Sequence, residues 1–205
     1  ALHALSSLTT DAEGETRLKG AQIVTTGNAV FNDIVKIFTD VQVKAAGQLT
    51  FAKTVDGDTA NTRILKLDGG NTAAVNVQGN LGVATALKTL EVVNSESSTF
   101  IGAVKTDTSV VLTNSRVGIA FNGGLTTPNL SIANQPFALT LRGKVYEWDG
   151  PAASLSNMKH PMRGCGPFVH DDEDDRPPAI YGGKVTLHFG PEQASSVLLP
   201  VIPPA

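Results

Sequence analysis

The sequence holds little that would staple, anchor or charge a protein. Its single cysteine, Cys165, has no partner in the chain, so stability must come from packing and backbone hydrogen bonds instead of disulfides. Apolar runs are only a few residues long, which excludes a bilayer-spanning helix. Charged residues make up 17% of the chain, 16 Lys and Arg against 19 Asp and Glu, for a net charge of -3. Without a clustered basic face, nucleic acid and anionic membrane surfaces are excluded as partners. Ala1 is not followed by the charged and apolar regions of a signal peptide. A chain that opens on Ala1 without a methionine reads as processed, or as a piece of something longer.

What is present is enough for one domain with a core, or a domain and a tail: 205 residues, 41% of them apolar. Of the 11 prolines only Pro128 and Pro136 precede Gly150. That shift divides the chain into a body, residues 1–150, and a Pro-rich extension, residues 151–205. The body is rich in Thr, Val, Asn, Gly and Ala, with short alternating runs between turn residues, the pattern of strands and turns. Gly82 to Leu90 lacks a helix N-cap signature and runs into Val92-Val93, so it too reads as turn and strand.

A hexad of a small or β-branched residue, Phe, three variable residues and Val or Leu recurs through the body. It appears as Val30-Phe31-Asn32-Asp33-Ile34-Val35, Thr50-Phe51-Ala52-Lys53-Thr54-Val55, Thr99-Phe100-Ile101-Gly102-Ala103-Val104 and Ala120-Phe121-Asn122-Gly123-Gly124-Leu125. A degenerate copy runs from Val77 to Leu81. The anchors Phe31, Phe51, Val77, Phe100 and Phe121 are spaced by 20, 26, 23 and 21 residues. A second short strand follows each anchor, at Val41–Val43, Ile64–Leu67, Leu90–Val92, Val110–Leu112 and Leu130–Ile132. A unit of this length cannot bury its own apolar residues, but stacked units share one core. The pattern therefore predicts an all-β fold, a parallel β-helix (β-solenoid) of about six coils, with Phe31, Phe51, Val77, Phe100 and Phe121 as its core ladder. A longer-range echo of Ala4-Leu5-Ser6-Ser7-Leu8 in Ala86-Leu87-Lys88-Thr89-Leu90 suggests the same. A β-sandwich is the competing architecture, since its strands also recur every 8 to 12 residues.

The stretches Ala4-Leu5-Ser6-Ser7-Leu8-Thr9-Thr10-Asp11-Ala12-Glu13-Gly14-Glu15-Thr16-Arg17-Leu18-Lys19-Gly20 and Ile23-Val24-Thr25-Thr26-Gly27 open the region of interest. With Gly47-Gln48-Leu49-Thr50-Phe51-Ala52-Lys53-Thr54-Val55-Asp56-Gly57, they resemble the repeats of large bacterial exoproteins of the filamentous-haemagglutinin and autotransporter-adhesin type. The resemblance covers about residues 1–143. It implies right-handed parallel β-helices displayed on, or released from, the bacterial cell surface as stalks, adhesins or fibres. Those proteins are much longer, and the Pro-rich extension has no counterpart in them.

Unpaired strands and apolar core at the ends of a solenoid invite association. Leu2, Leu5 and Leu8 lie at the first end, where no polar cap is evident. In the extension, residues 183–189 alternate cleanly, with Val185, Leu187 and Phe189 on one face. This further strand either caps its own solenoid or adds to the edge of a neighbour. These six residues are the expected self-association set, and head-to-tail contacts that do not close would build a filament.

Ligand signals are sparse. The run Asp171-Asp172-Glu173-Asp174-Asp175 reads first as a solvated loop. If it binds a metal, calcium is the ion that Asp171, Asp172, Asp174 and Asp175 suit, although the ligand spacing of an EF-hand is missing. His160, Cys165 and His170 lack the paired spacing of a zinc site. Parallel β-helices also host polysaccharide lyases and hydrolases, but such enzymes use aromatic platforms for sugar rings. Here Tyr146-Glu147-Trp148-Asp149 is the only aromatic-acid cluster, and it reads as a cover for the last coil. His3, His160, His170 and His188 do not assemble a Ser-His-Asp set. The sequon Asn129-Leu130-Ser131 reads as an accidental match. The resulting expectation is a non-catalytic extracellular structural protein, without a cofactor, that associates with itself. An adhesin module for a receptor or glycan is the first alternative, and a polysaccharide-cleaving enzyme the second.

Overall fold

A computed structural model describes residues 4–133 and 137–142, together with the strand backbones Val145–Tyr146, Ala179–Ile180 and Val185–His188. The described residues form strands and turns, with no helix, wound into a parallel β-solenoid. Each turn of the chain contributes to three faces. The first face stacks Leu8–Thr9, Ala29–Phe31, Leu49–Phe51, Ala74–Val77, Ser97–Phe100, Gly118–Phe121 and Ala138–Leu141. The second contains Glu15–Leu18, Ile34–Ile37, Val55–Gly57, the single bridging residue Leu81, the start of Val104–Leu112, Leu125–Thr126 and Val145–Tyr146. The third contains Gln22–Thr25, Val41–Ala45, Ile64–Asp68, Leu87–Asn94, the end of Val104–Leu112 and Leu130–Ile132.

Strand pairing puts like residues above like residues. Phe31, Phe51, Val77, Phe100, Phe121 and Leu141 form one row of the first face. Val35, Val55, Leu81, Val104 and Leu125 form a row of the second. On the third, Val41, Leu65, Leu90, Val110 and Leu130 align. None of these side chains is more than 2% exposed. Burial of each contributes about 1.5–3 kcal/mol, which is how short strands without disulfides hold together. Two ring pairs stack within the first row, Phe31 on Phe51 at 4.8 Å and Phe100 on Phe121 at 4.6 Å, with Val77 between the pairs.

The hexad now has a geometric meaning. Its Phe closes the inward side of the first face, three residues turn the corner, and its Val or Leu opens the second face. At this corner Gly79, Gly102 and Gly123 lie directly over one another. A Cβ on Gly102 would strike the Gly79 carbonyl, and one on Gly123 would strike that of Gly102. Glycine is needed because the backbones approach too closely for a side chain.

Seven strands stack in the first face, one coil more than the spacing suggests. The additional coil carries no hexad because Thr10 pairs in the Phe row and Thr16 opposite Val35. The echo between residues 4–8 and 86–90 joins positions that are not equivalent, since Leu8 lies on the first face and Leu90 on the third.

Buried polar groups are also shared from coil to coil. Ser98 donates to Ser95 at 2.8 Å, Ser95 to Ser115 at 3.1 Å, and Thr106 to Thr127 at 2.8 Å. All five side chains are buried, and each has a partner, as buried hydroxyls require.

Candidate functional site

The two ends of the stack differ. At the C-terminal end, Val185–His188 pairs antiparallel with Ala138–Leu141 of the same chain, placing Val185 opposite Leu141 and Leu187 opposite Leu139. Ala179–Ile180 pairs antiparallel with Val145–Tyr146. Antiparallel strands change the hydrogen-bond pattern that a further parallel coil would need, so they end the stack on the first and second faces. Phe189 lies outside the described residues.

At the other end, Leu8–Thr9 and Glu15–Leu18 have a strand partner on one side only among the described residues. Leu5 bridges to Thr25, donates its N–H to the Val24 carbonyl at 2.9 Å, and remains 50% exposed. Leu8 is half-buried beside Ala29. Leu2 lies outside the described residues. The structure thus places Leu5 and Leu8 at one end and Val185 and Leu187 at the other, and does not bring the two groups together.

The first coil is also more polar inside than the coils above it. Thr10 and Thr16 each donate to Asp33 at 2.7 Å, one to each carboxylate oxygen. Asn32 donates to the Thr10 carbonyl at 2.9 Å, and Lys53 to the Ala12 carbonyl at 2.5 Å, so residues 10–16 are tied down from later coils. Asp33 is buried, which by itself pushes its pKa up. The hydroxyls of Thr16 and Thr10, its own backbone N–H and the charge of Lys53 outweigh burial and hold it below the ordinary carboxylate value.

Other carboxylates tie the corner between the second and third faces. Asp40 accepts the Ile64 N–H at 2.9 Å, and Asp56 accepts those of Ala84 and Thr85 at 3.0 Å. Asp58 receives two bonds from Arg63, at 2.5 and 2.9 Å, and this pairing lowers the Asp58 pKa and raises that of Arg63. Sequence reasoning read Asp56 and Asp58 as ordinary turn residues and gave Asp33 and Asp40 no role. Asp33 is visible in hindsight as the one acidic residue within the hexads. The amide of Asn129 in the sequon donates to the Thr108 carbonyl at 3.0 Å, so it already has a structural task.

Charge is unevenly placed on the outside. The third face carries Lys66 paired with Glu91 at 2.7 Å and Lys44 with Asp68 at 3.5 Å, and the second carries Arg17 with Glu15 at 2.7 Å. The central outward row of the first face runs Thr9, Val30, Thr50, Asn76, Thr99, Ala120 and Thr140, without a charge.

Asp171, Asp172, Asp174 and Asp175 lie outside the described residues, as do His160, Cys165, His170 and Trp148. Among the described residues no group of three His, Cys, Asp or Glu side chains is placed to hold a metal, and no helix is long and apolar enough to cross a membrane. No family model, curated protein or solved structure matches the chain.

Proposed function

We propose that the chain is a non-catalytic structural protein of the bacterial exterior, a stiff rod in which the first coil is the end that accepts a further strand. The carrying observation is the asymmetry of the ends. One is occupied by antiparallel strands of the same chain, while the other offers Leu8–Thr9, with Leu5 half exposed beside it. An edge of this kind is a template for strand addition. The charged strand Glu15–Leu18 is less suited to it, so the first face is where the strand enters. Leu5 and Leu8 would then become core residues, while Val185 and Leu187 belong to the closed end.

Small-angle scattering over a concentration series tests this on the whole chain. End-joined particles should lengthen at constant cross-section, and Leu8→Asp should abolish the lengthening. A particle whose length is independent of concentration overturns the assembly reading. Depolymerisation of a glycan panel by the purified chain would overturn the non-catalytic one.

A further inference from the structure

The first face differs from the other two in charge and in relief. Besides its central row it presents Asn28, Gln48, Ala74, Ser97, Gly118 and Ala138, so neither outward row holds an ionisable side chain. Its N-terminal half stands proud, with Asn28 and Gln48 exposed and Val30 between them. Its C-terminal half is recessed into a groove of about 250 Å³ lined by Ser97, Thr99, Gly118, Ala120, Ala138 and Thr140. Val117, at the rim of that groove, is 60% exposed. The recess follows from the sequence, because Gly118, Ala120 and Ala138 have little or no side chain to fill it.

We infer that this face pairs with the same face of a second copy, about a two-fold axis running along the strand Ala74–Val77. That operation reverses the order of coils, so the raised half of each copy meets the recessed half of the other. Val30 of one copy then lies against Ala120 of the other, Asn28 against Gly118, and Thr50 against Thr99. A two-fold interface must be self-complementary, and an uncharged surface satisfies this without like charges meeting. The second and third faces, with their charged side chains, are less suited to it. Eight strands at about 4.8 Å, each about 15 Å long, cover roughly 550 Å² per copy, or roughly 1,100 Å² in all, just above the lower bound for a specific interface. The pairing rests on the structural reading above and makes it lateral as well as end-on.

The test is sedimentation equilibrium with small-angle scattering on the full 205-residue chain. The expected particle is a dimer of unchanged length and increased cross-section. Val30→Asp and Ala120→Arg should each weaken it about a hundredfold, because each buries an unpaired charge. The double variant places Asp and Arg opposite each other at both symmetric contacts and should recover most of the loss. Circular dichroism checks that each variant is folded, and Thr99→Arg reads the neighbouring contact should Val30→Asp unfold the chain. A monomer at every concentration, or a dimer that all single variants leave intact, overturns the inference. Growth in length alone overturns it while leaving the end-on reading standing.

Discussion

Two corners of the same coil obey opposite rules. Between the first and second faces the chain always moves from the Phe row to the Val row in four positions, from Phe31 to Val35 and through to Phe121 and Leu125. Between the second and third faces the step varies from five positions, Leu125 to Leu130, to ten, Val55 to Leu65. The constant corner is held by backbone stacked on backbone at Gly79, Gly102 and Gly123. The variable one is held by side chains from neighbouring coils, Asp40 to Ile64 and Asp56 to Ala84 and Thr85. A backbone stack has no slack, whereas a carboxylate on a flexible stem can reach a loop of any length.

Inserting one glycine in each corner would test that distinction most severely. Between Ile101 and Gly102 the insertion displaces a stacked backbone and shifts Val104 out of its row, turning inward residues outward. The expected loss is at least about 3 kcal/mol, the cost of emptying one large core position. Between Ala60 and Asn61 the same insertion only lengthens an exposed loop and should cost less than about 1 kcal/mol. Denaturant unfolding of both variants makes the comparison, and equal losses would remove the distinction.

A smaller effect is expected from Asp56→Ala. It leaves the N–H groups of Ala84 and Thr85 without their acceptor, and each partly exposed group turns to water. About 1–2 kcal/mol of stability should be lost. Hydrogen exchange should locate the loosening at residues 82–88, with the stacked glycines unaffected. Uniform loss of protection along the whole stack would instead mean that this corner is not an independent unit.

The same contrast explains what could be read from the sequence. Phe31, Phe51, Val77, Phe100 and Phe121 are visible as a ladder because the corner after them has a fixed length, so a six-residue pattern survives from coil to coil. The strands of the third face recur less regularly because loops such as Asp58–Arg63 intervene. The first coil is invisible to a search for phenylalanine because Thr10 and Thr16 occupy its anchor positions. Ties such as Asp56 to Thr85 join residues on successive coils, and become apparent only once the strand register is known. The neutrality of the first face is hidden for the same reason, since its members lie about twenty positions apart.

The smallest effect belongs to Asp33, and it concerns how the first coil departs from the others. Its carboxylate is held below the ordinary pKa because the hydroxyls of Thr10 and Thr16 and the charge of Lys53 outweigh the penalty of burial. A carboxylate whose pKa is lower folded than unfolded contributes stability that is fully present above its unfolded value of about 3.9. That contribution disappears as the pH falls through the folded value. Asp33→Asn keeps one acceptor oxygen but loses the charge, and should cost about 1 kcal/mol at neutral pH. The gap between the parent chain and the variant should then close as the pH falls below about 4, with the loosening confined to residues 10–16 in amide exchange. A gap that persists to pH 2 would show that Asp33 contributes through shape alone, leaving the first coil no more dependent on charge than the coils above it.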